Sequence, residues 1–317
     1  MEDYPFIRQL RSPVTDEQLR PLDPRCRRVQ FSEPLSDSEL KRVAQFMRDY
    51  PDVTFRVYGH YLHKCDLEFL RHFDFLRHFA VDIFDLKDFS GINYLPVELE
   101  SLGLGQTRKQ SHSLRFLERF RSLRHLYLEG HKKDIEVLGH LVNLESLALC
   151  SVTLPDLSIL RPLVRLLSFV LALGGTRNVT LLPEIGRLRY LEIWLVRGLS
   201  DLSAIAEIRT LQYLFLQALK RVTVLPSLGR LHLLRRVHIE TMKGLNDLQP
   251  IADAPNLEDL LVIDMRHLTA DALRPFVGHP QLKRATAGLG SMRRNEEARR
   301  LLSLPEVDRT EGGFSFI

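Results

Sequence analysis

Leu188-Arg189-Tyr190-Leu191-Glu192-Ile193 decides the fold, because its apolar-x-x-apolar-x-apolar spacing returns at near-constant intervals. The first members of the triplets are Leu76, Leu99, Leu123, Leu144, Leu166, Leu188, Leu211, Leu234, Leu257 and Leu282. Successive gaps run from 21 to 25 residues. A short unit recurring at that period cannot bury its apolar face alone, so units must stack into one continuous core. A chain built this way presents a surface.

Between triplets the apolar residues continue at intervals of three. Leu199, Leu202, Ile205, Ile208, Leu211 and Leu214 make one such ladder, and Leu245, Leu248, Ile251, Ala254, Leu257 and Leu260 another. That spacing suits a 3₁₀ turn or an extended crossing better than the 3.6-residue α-helix. Prolines at 155, 183, 226 and 250 argue the same way. Each repeat is expected to be a short parallel strand followed by an irregular return.

The ends depart from the repeat. Ser36-Asp37-Ser38-Glu39 reads as a capping box, with Leu40, Val43, Ala44 and Met47 following at helical spacing. Val53-Thr54-Phe55-Arg56-Val57 alternates like a strand and opens a degenerate first repeat. Asn295-Glu296-Glu297-Ala298-Arg299-Arg300-Leu301-Leu302 reads as a closing helix, on which the apolar stretch Phe314-Ser315-Phe316-Ile317 is expected to pack. The expected division is an N-terminal cap over 1–52, a solenoid of about ten or eleven repeats over 53–290, and a C-terminal cap over 291–317.

These units resemble the leucine-rich-repeat family. The period and the leucine-aspartate-leucine return, as in Leu199-Ser200-Asp201-Leu202 and Leu245-Asn246-Asp247-Leu248, are most similar to the internalin-like subclass. The resemblance covers roughly residues 75 to 290. It implies an α/β solenoid with a parallel concave β-sheet, an irregular 3₁₀ convex side and helical caps. The family usually has an asparagine three residues after the triplet. Here that position holds His131, Val152, Gly174, Val196, Leu219, Met242 and Met265, so most of these side chains should point inward. The backbone at the bend must then find partners elsewhere. Leu182-Pro183-Glu184-Ile185-Gly186 is similar to the wall-anchoring motif of surface internalins, but it sits on core positions of a repeat.

No enzyme constellation is present: no phosphate-binding P-loop, no paired CxxC and no HExxH. Gly103 and Gly105 fall on outward strand positions. His60, His63 and Cys65 have ligand types, with His72 and His78 following, but a structural zinc site needs about four ligands. No metal, cofactor or catalytic residue is expected. The three cysteines, Cys26, Cys65 and Cys150, are too scattered for a disulfide framework. With no apolar run of signal-peptide or membrane-span length, a cytoplasmic protein with free thiols is expected.

Net charge is +4 over 317 residues, a small excess for the length. Arg108, Lys109, Arg115, Arg119, Arg121 and Arg124 form one basic segment; Arg293, Arg294, Arg299 and Arg300 form another. Interspersed Glu118, Glu296 and Glu297 favour a solvated, salt-bridged surface over a phosphate track. A nucleic-acid-associated protein using these arginines is the alternative reading.

Strand alternation defines the expected site. With triplet positions four and six inward, positions three, five and seven point outward from the sheet. They give His125, Tyr127 and Glu129; Tyr190, Glu192 and Trp194; Tyr213 and Phe215; Arg236, His238 and Glu240; and Asp259. Trp194, the single tryptophan, falls beside Tyr190, Tyr213 and Phe215. Tyr, Trp and Arg are the types enriched at interface hot spots. Strand spacing of about 4.8 Å makes the span from Tyr127 to His238 roughly 24 Å, room for a partner's helix or loop. The expected function is non-enzymatic binding of another protein on this face, with no membrane partner.

Overall fold

The computed structural model describes residues 5–59, 66–109, 112–308 and 314–317. The chain divides into two compact units, Met1–Leu147 and Ala148–Ile317. The first contains strands β1 (Ile7–Leu10), β2 (Arg28–Phe31), β3 (Thr54–Tyr58), β4 (His78–Asp82), β5 (Ser101–Leu104) and β6 (His125–Glu129). Each pairs in parallel with the next in sequence. Strand β7 (Ser146–Cys150) carries the division between the units. The second contains β8 (Ser168–Ala172), β9 (Tyr190–Trp194), β10 (Tyr213–Gln217), β11 (Arg236–Glu240), β12 (Asp259–Ile263) and β13 (Arg284–Ala287), also parallel and in chain order. The register is one to one, with Leu191, Leu214 and Val237 in line and Ile193, Leu216 and Ile239 in line. All six of these side chains are 0% exposed, so the triplet spacing is the core spacing.

The returns are 3₁₀ turns, among them Glu68–His72, Ser90–Tyr94, Ser158–Leu160 and Ser203–Glu207. Their aspartates have a clear local task. The backbone N–H two residues on donates to Asp66, Asp88, Asp156, Asp201 and Asp247 at 2.8–3.1 Å. This Asx turn satisfies an N–H that the start of a 3₁₀ turn leaves unpaired. The leucine-aspartate-leucine pattern therefore marks where each return begins.

The bend after each strand of the second unit uses no asparagine. Ser151, Leu173, Leu195, Ala218, Thr241 and Asp264 adopt left-handed backbone, with φ between 50° and 59°. Five of these bends share one bond: the N–H of Ser151, Leu173, Leu195, Ala218 and Thr241 donates to the last carbonyl of the following strand, at 2.9–3.1 Å. The next residue turns inward, so Val152, Leu219, Met242 and Met265 are at most 1% exposed. A left-handed non-glycine residue costs on the order of 1–2 kcal/mol, and the ladder of backbone bonds offsets it.

Helix α1 (Asp37–Met47) begins at Ser36, whose hydroxyl accepts from the Glu39 N–H while the Glu39 carboxylate accepts from the Ser36 N–H, the expected capping box. Its buried face packs on the turn Glu68–His72. The sheet, however, starts earlier than the sequence division implied: β1 and β2 lie within the segment read as a cap. β2 escaped the triplet pattern because β2 and β3 are offset by 26 residues and carry phenylalanine and valine in place of leucine, and β1 because Arg8 stands in line with Val29 at its first inward position. Helix α2 (Gln249–Ala252) is a single turn, and α3 (Met292–Leu302) packs on Ala270–Phe276 and β13.

Candidate interaction surface

In the first unit β6 presents His125 exposed, Tyr127 38% exposed and Glu129 half-buried. The Tyr127 hydroxyl donates to the Glu129 carboxylate at 2.9 Å. Near the start of this unit the same face carries a polar network that the sequence did not advertise. Gln30 donates to Gln9 at 3.1 Å, Tyr58 donates to Gln9 at 2.9 Å, and Arg56 bridges Gln30 and Asp82. Period-two alternation places these residues outward, but only the register of β1 to β4 brings them together.

In the second unit the register arranges the expected residues in three rows. Tyr190, Tyr213, Arg236, Asp259 and Arg284 form the first; Glu192, Phe215, His238 and Leu261 the second; Trp194, Gln217, Glu240 and Ile263 the third. Tyr190 and Tyr213 meet edge to face at 5.1 Å, and Phe215 packs on His238 at 4.5 Å. Gln217 donates to Glu240 at 2.7 Å, and His238 lies 3.4 Å from the same carboxylate. Trp194, Tyr213 and Phe215 are half-buried.

Two expected contact residues have a different position. Arg236 and Asp259 are 5% and 1% exposed. Asp259 accepts two bonds from Arg236, at 2.7 and 3.0 Å, and two from Arg284, at 2.7 and 2.9 Å. In-register strands put one acid between two guanidinium groups, so Arg236 and Asp259 are turned to each other and away from solvent. Alternation alone reveals that such residues point outward; it does not reveal that they cover one another.

Residues 314–317 also differ from expectation. They lie along the first row, away from the closing helix. Phe314 meets Tyr213 at 5.3 Å, Phe316 meets Tyr190 at 6.4 Å, and the Arg236 guanidinium lies 4.9 Å over the Phe314 ring. Gln212 and Arg235, just before β10 and β11, bond to the backbone of the segment.

Burial raises the Glu192 carboxyl above its ordinary value, and the Tyr190 hydroxyl that donates to it offsets only part of that cost. Burial, then the Glu192 carboxylate, pushes Tyr190 up as well, and burial also raises Tyr213. For an acid raised on folding, the native state holds its proton more tightly. The associated stability is full below the ordinary value of 4.5 and is lost as pH rises through the raised value. Glu192→Gln is therefore expected to match the parent in urea stability near pH 4 and to exceed it near pH 8. Equal stability at both pH values would remove the buried carboxyl from the account.

Cys150 is 4% exposed and Cys26 5%, so both thiols are buried. His60, His63 and Cys65 lie outside the described residues. His72 bonds to Asp37 at 2.7 Å, and His78 is lowered chiefly by burial. Among the described residues no group of three or more His, Cys, Asp or Glu is placed to hold a metal ion. A Cβ on Gly105 would meet the Asp82 carboxylate at 2.2 Å, so this glycine permits close strand approach. Leu182 and Ile185 are 0% and 1% exposed, confirming the core role of the Leu182-Pro183-Glu184-Ile185-Gly186 stretch. Many of the arginines of the two basic segments are engaged. Arg108 pairs with Asp85, Arg115 with Asp134, Arg124 with Glu145, Arg293 with Glu297, and Arg299 and Arg300 with Glu296. Among the described residues no helix is long and apolar enough to cross a membrane.

No protein-family model matches the sequence, and no curated protein matches it. Solved structures do. An internalin (inlF) of Listeria monocytogenes is 19% identical, covering 86% of this chain and 76% of its own, with a TM-score of 0.57. Internalin C2 of the same organism is 18% identical over 70% of this chain and 82% of its own, with a TM-score of 0.43. A leucine-rich-repeat protein of Leptospira interrogans is 16% identical over 96% of this chain and 93% of its own, with a TM-score of 0.37. Parallel strands in a regular series, 3₁₀ returns and the likeness to the inlF structure give the chain the fold of a leucine-rich-repeat solenoid.

Proposed function

We propose that this chain is a non-enzymatic protein-interaction module whose second unit binds a partner protein on the open, concave face of β9–β12. The observation that carries this reading is the half-buried cluster of Trp194, Tyr213 and Phe215 on rigid, in-register strands. Aromatic side chains presented this way lose little conformational freedom on binding and supply large contact area. Tyr190, Glu192, His238 and Glu240 surround them and set register; the acids favour a partner with basic character at its rim. His125, Tyr127 and Glu129 offer a second, more exposed contact in the first unit. Arg236 and Asp259 contribute by holding the strands. In the same reading α3 covers the end of the core beyond β13, and three scattered cysteines, too few for a disulfide framework, suit a reducing compartment such as the cytoplasm. Ion pairing of the basic segments argues against a phosphate track.

The test is affinity capture with the full chain, followed by titration with the captured protein. Trp194→Ala is expected to weaken binding by about 2 kcal/mol, roughly thirtyfold, with an unchanged melting curve. Unchanged affinity would overturn the site.

A further inference from the structure

We propose that the first row of β9–β11 is a receptor for an extended segment of the form aromatic-x-aromatic-aliphatic. Residues 314–317 would then be an intramolecular copy of that ligand. The proposal rests on the reading of this face as an interaction surface and names the kind of partner it takes.

Two kinds of contact hold the segment. The first is addressed to backbone. Gln212 is 2% exposed, and its side-chain amide donates to the Ile317 backbone oxygen and accepts from the Ile317 N–H, both at 2.9 Å. A carboxamide that pairs with N–H and C=O of one residue imitates a neighbouring strand, and it accepts any side chain at that place. Arg235 adds a bond to the Ser315 carbonyl at 2.9 Å, using a second donor one repeat away. The second kind is addressed to rings. Phe314 sits edge-on to Tyr213 with the Arg235 and Arg236 guanidiniums over it at 5.4 and 4.9 Å. Phe316 sits edge-on to Tyr190, and the two phenylalanines meet each other at 5.0 Å. Ring contacts of this sort reject small or acidic residues and accept aromatic ones.

The copy is held loosely enough to exchange. Phe316 is 47% exposed and Ile317 67% exposed, so both side chains still face water. The contacts of residues 314–317 lie on the first row and on Gln212 and Arg235 just before it, while Trp194 stands in the third row. A partner anchored at Trp194 could therefore bring its own aromatic-x-aromatic segment to the row occupied by residues 314–317. Tethering raises the local concentration of the intramolecular copy, so an outside ligand must displace it.

The test uses a fluorescein-labelled peptide Gly-Phe-Ser-Phe-Ile with an amidated end, followed by anisotropy. A full chain carrying Phe314→Ala and Phe316→Ala keeps its length and vacates the ring sites. It is expected to bind the peptide at least tenfold more tightly than the parent chain does. Adding Gln212→Ala should cost that binding another tenfold or more, and a Gly-Ala-Ser-Ala-Ile peptide should not bind. A chain ending at residue 313 should behave like the double variant. Peptide binding by neither chain, or equally by both, overturns the proposal. A parent dimer on size exclusion that the double variant loses would show the segment serving a second copy, and would overturn the intramolecular assignment. Loss of peptide binding with the Trp194 effect intact would sink this inference alone. Peptide binding without any Trp194 effect would instead sink the wider site.

Discussion

Asp259→Ala is expected to destabilise the second unit by about 3–5 kcal/mol, because it leaves two buried or half-buried arginines without their acid. Arg236 and Asp259 have side chains 7% and 2% exposed, and Arg284 completes the row at 2.7 Å. Removing one member strands a desolvated charge whose replacement partner, water, has little access. Replacing all three with apolar residues of similar volume should recover most of that loss, since the pair's attraction only balances its own desolvation. Urea denaturation of the single and triple variants reads both effects. A single-variant loss below about 1 kcal/mol would show that water screens the row. An unchanged melting curve with lost partner binding would return Asp259 to the contact surface.

Phe55→Ala should cost the first unit a similar amount, about 3–5 kcal/mol. Phe55 is 0% exposed and stacks on Phe73 at 4.5 Å, with Phe31 at 5.6 Å and Phe69 at 6.4 Å. These rings take the place that leucines hold in later repeats, so truncation opens a cavity with rigid walls. Phe55→Leu should cost about 1.5 kcal/mol or less, because volume is largely kept. Hydrogen exchange of the β2 and β3 amides would check the assignment. Protection unchanged in Phe55→Ala would mean that the cluster is not what holds these first strands.

Much of the fold was legible from residue types alone. Leu188, Leu191 and Ile193 recur because every strand must bury the same two inward positions, so a one-dimensional stack writes its period into the sequence. The recurrence of Asp201 and Asp247 was legible in the return pattern, and their Asx turns, local bonds between near neighbours, are the physical reason for it. Strands β1 and β2 were not legible: Arg8 stands in line with Val29 where an apolar residue would mark β1, and β2 lies 26 residues before β3 with valine and phenylalanine in place of leucine. The left-handed bends were hidden too. No asparagine or glycine announces Leu195 or Ala218, whose strained backbone is held by a bond to the following strand.

The site divides along the same line. Alternation along each strand determined by itself that Tyr190, Trp194, Tyr213 and Phe215 share the open face, because side-chain direction in a strand depends only on position parity. Tertiary structure alone decided that Arg236, Asp259 and Arg284 bury one another, and that Phe314 and Phe316 return to Tyr213 and Tyr190. The first needs the register of three strands. The second joins Gln212 to Ile317 across 105 residues, and no local pattern records a contact between positions so far apart.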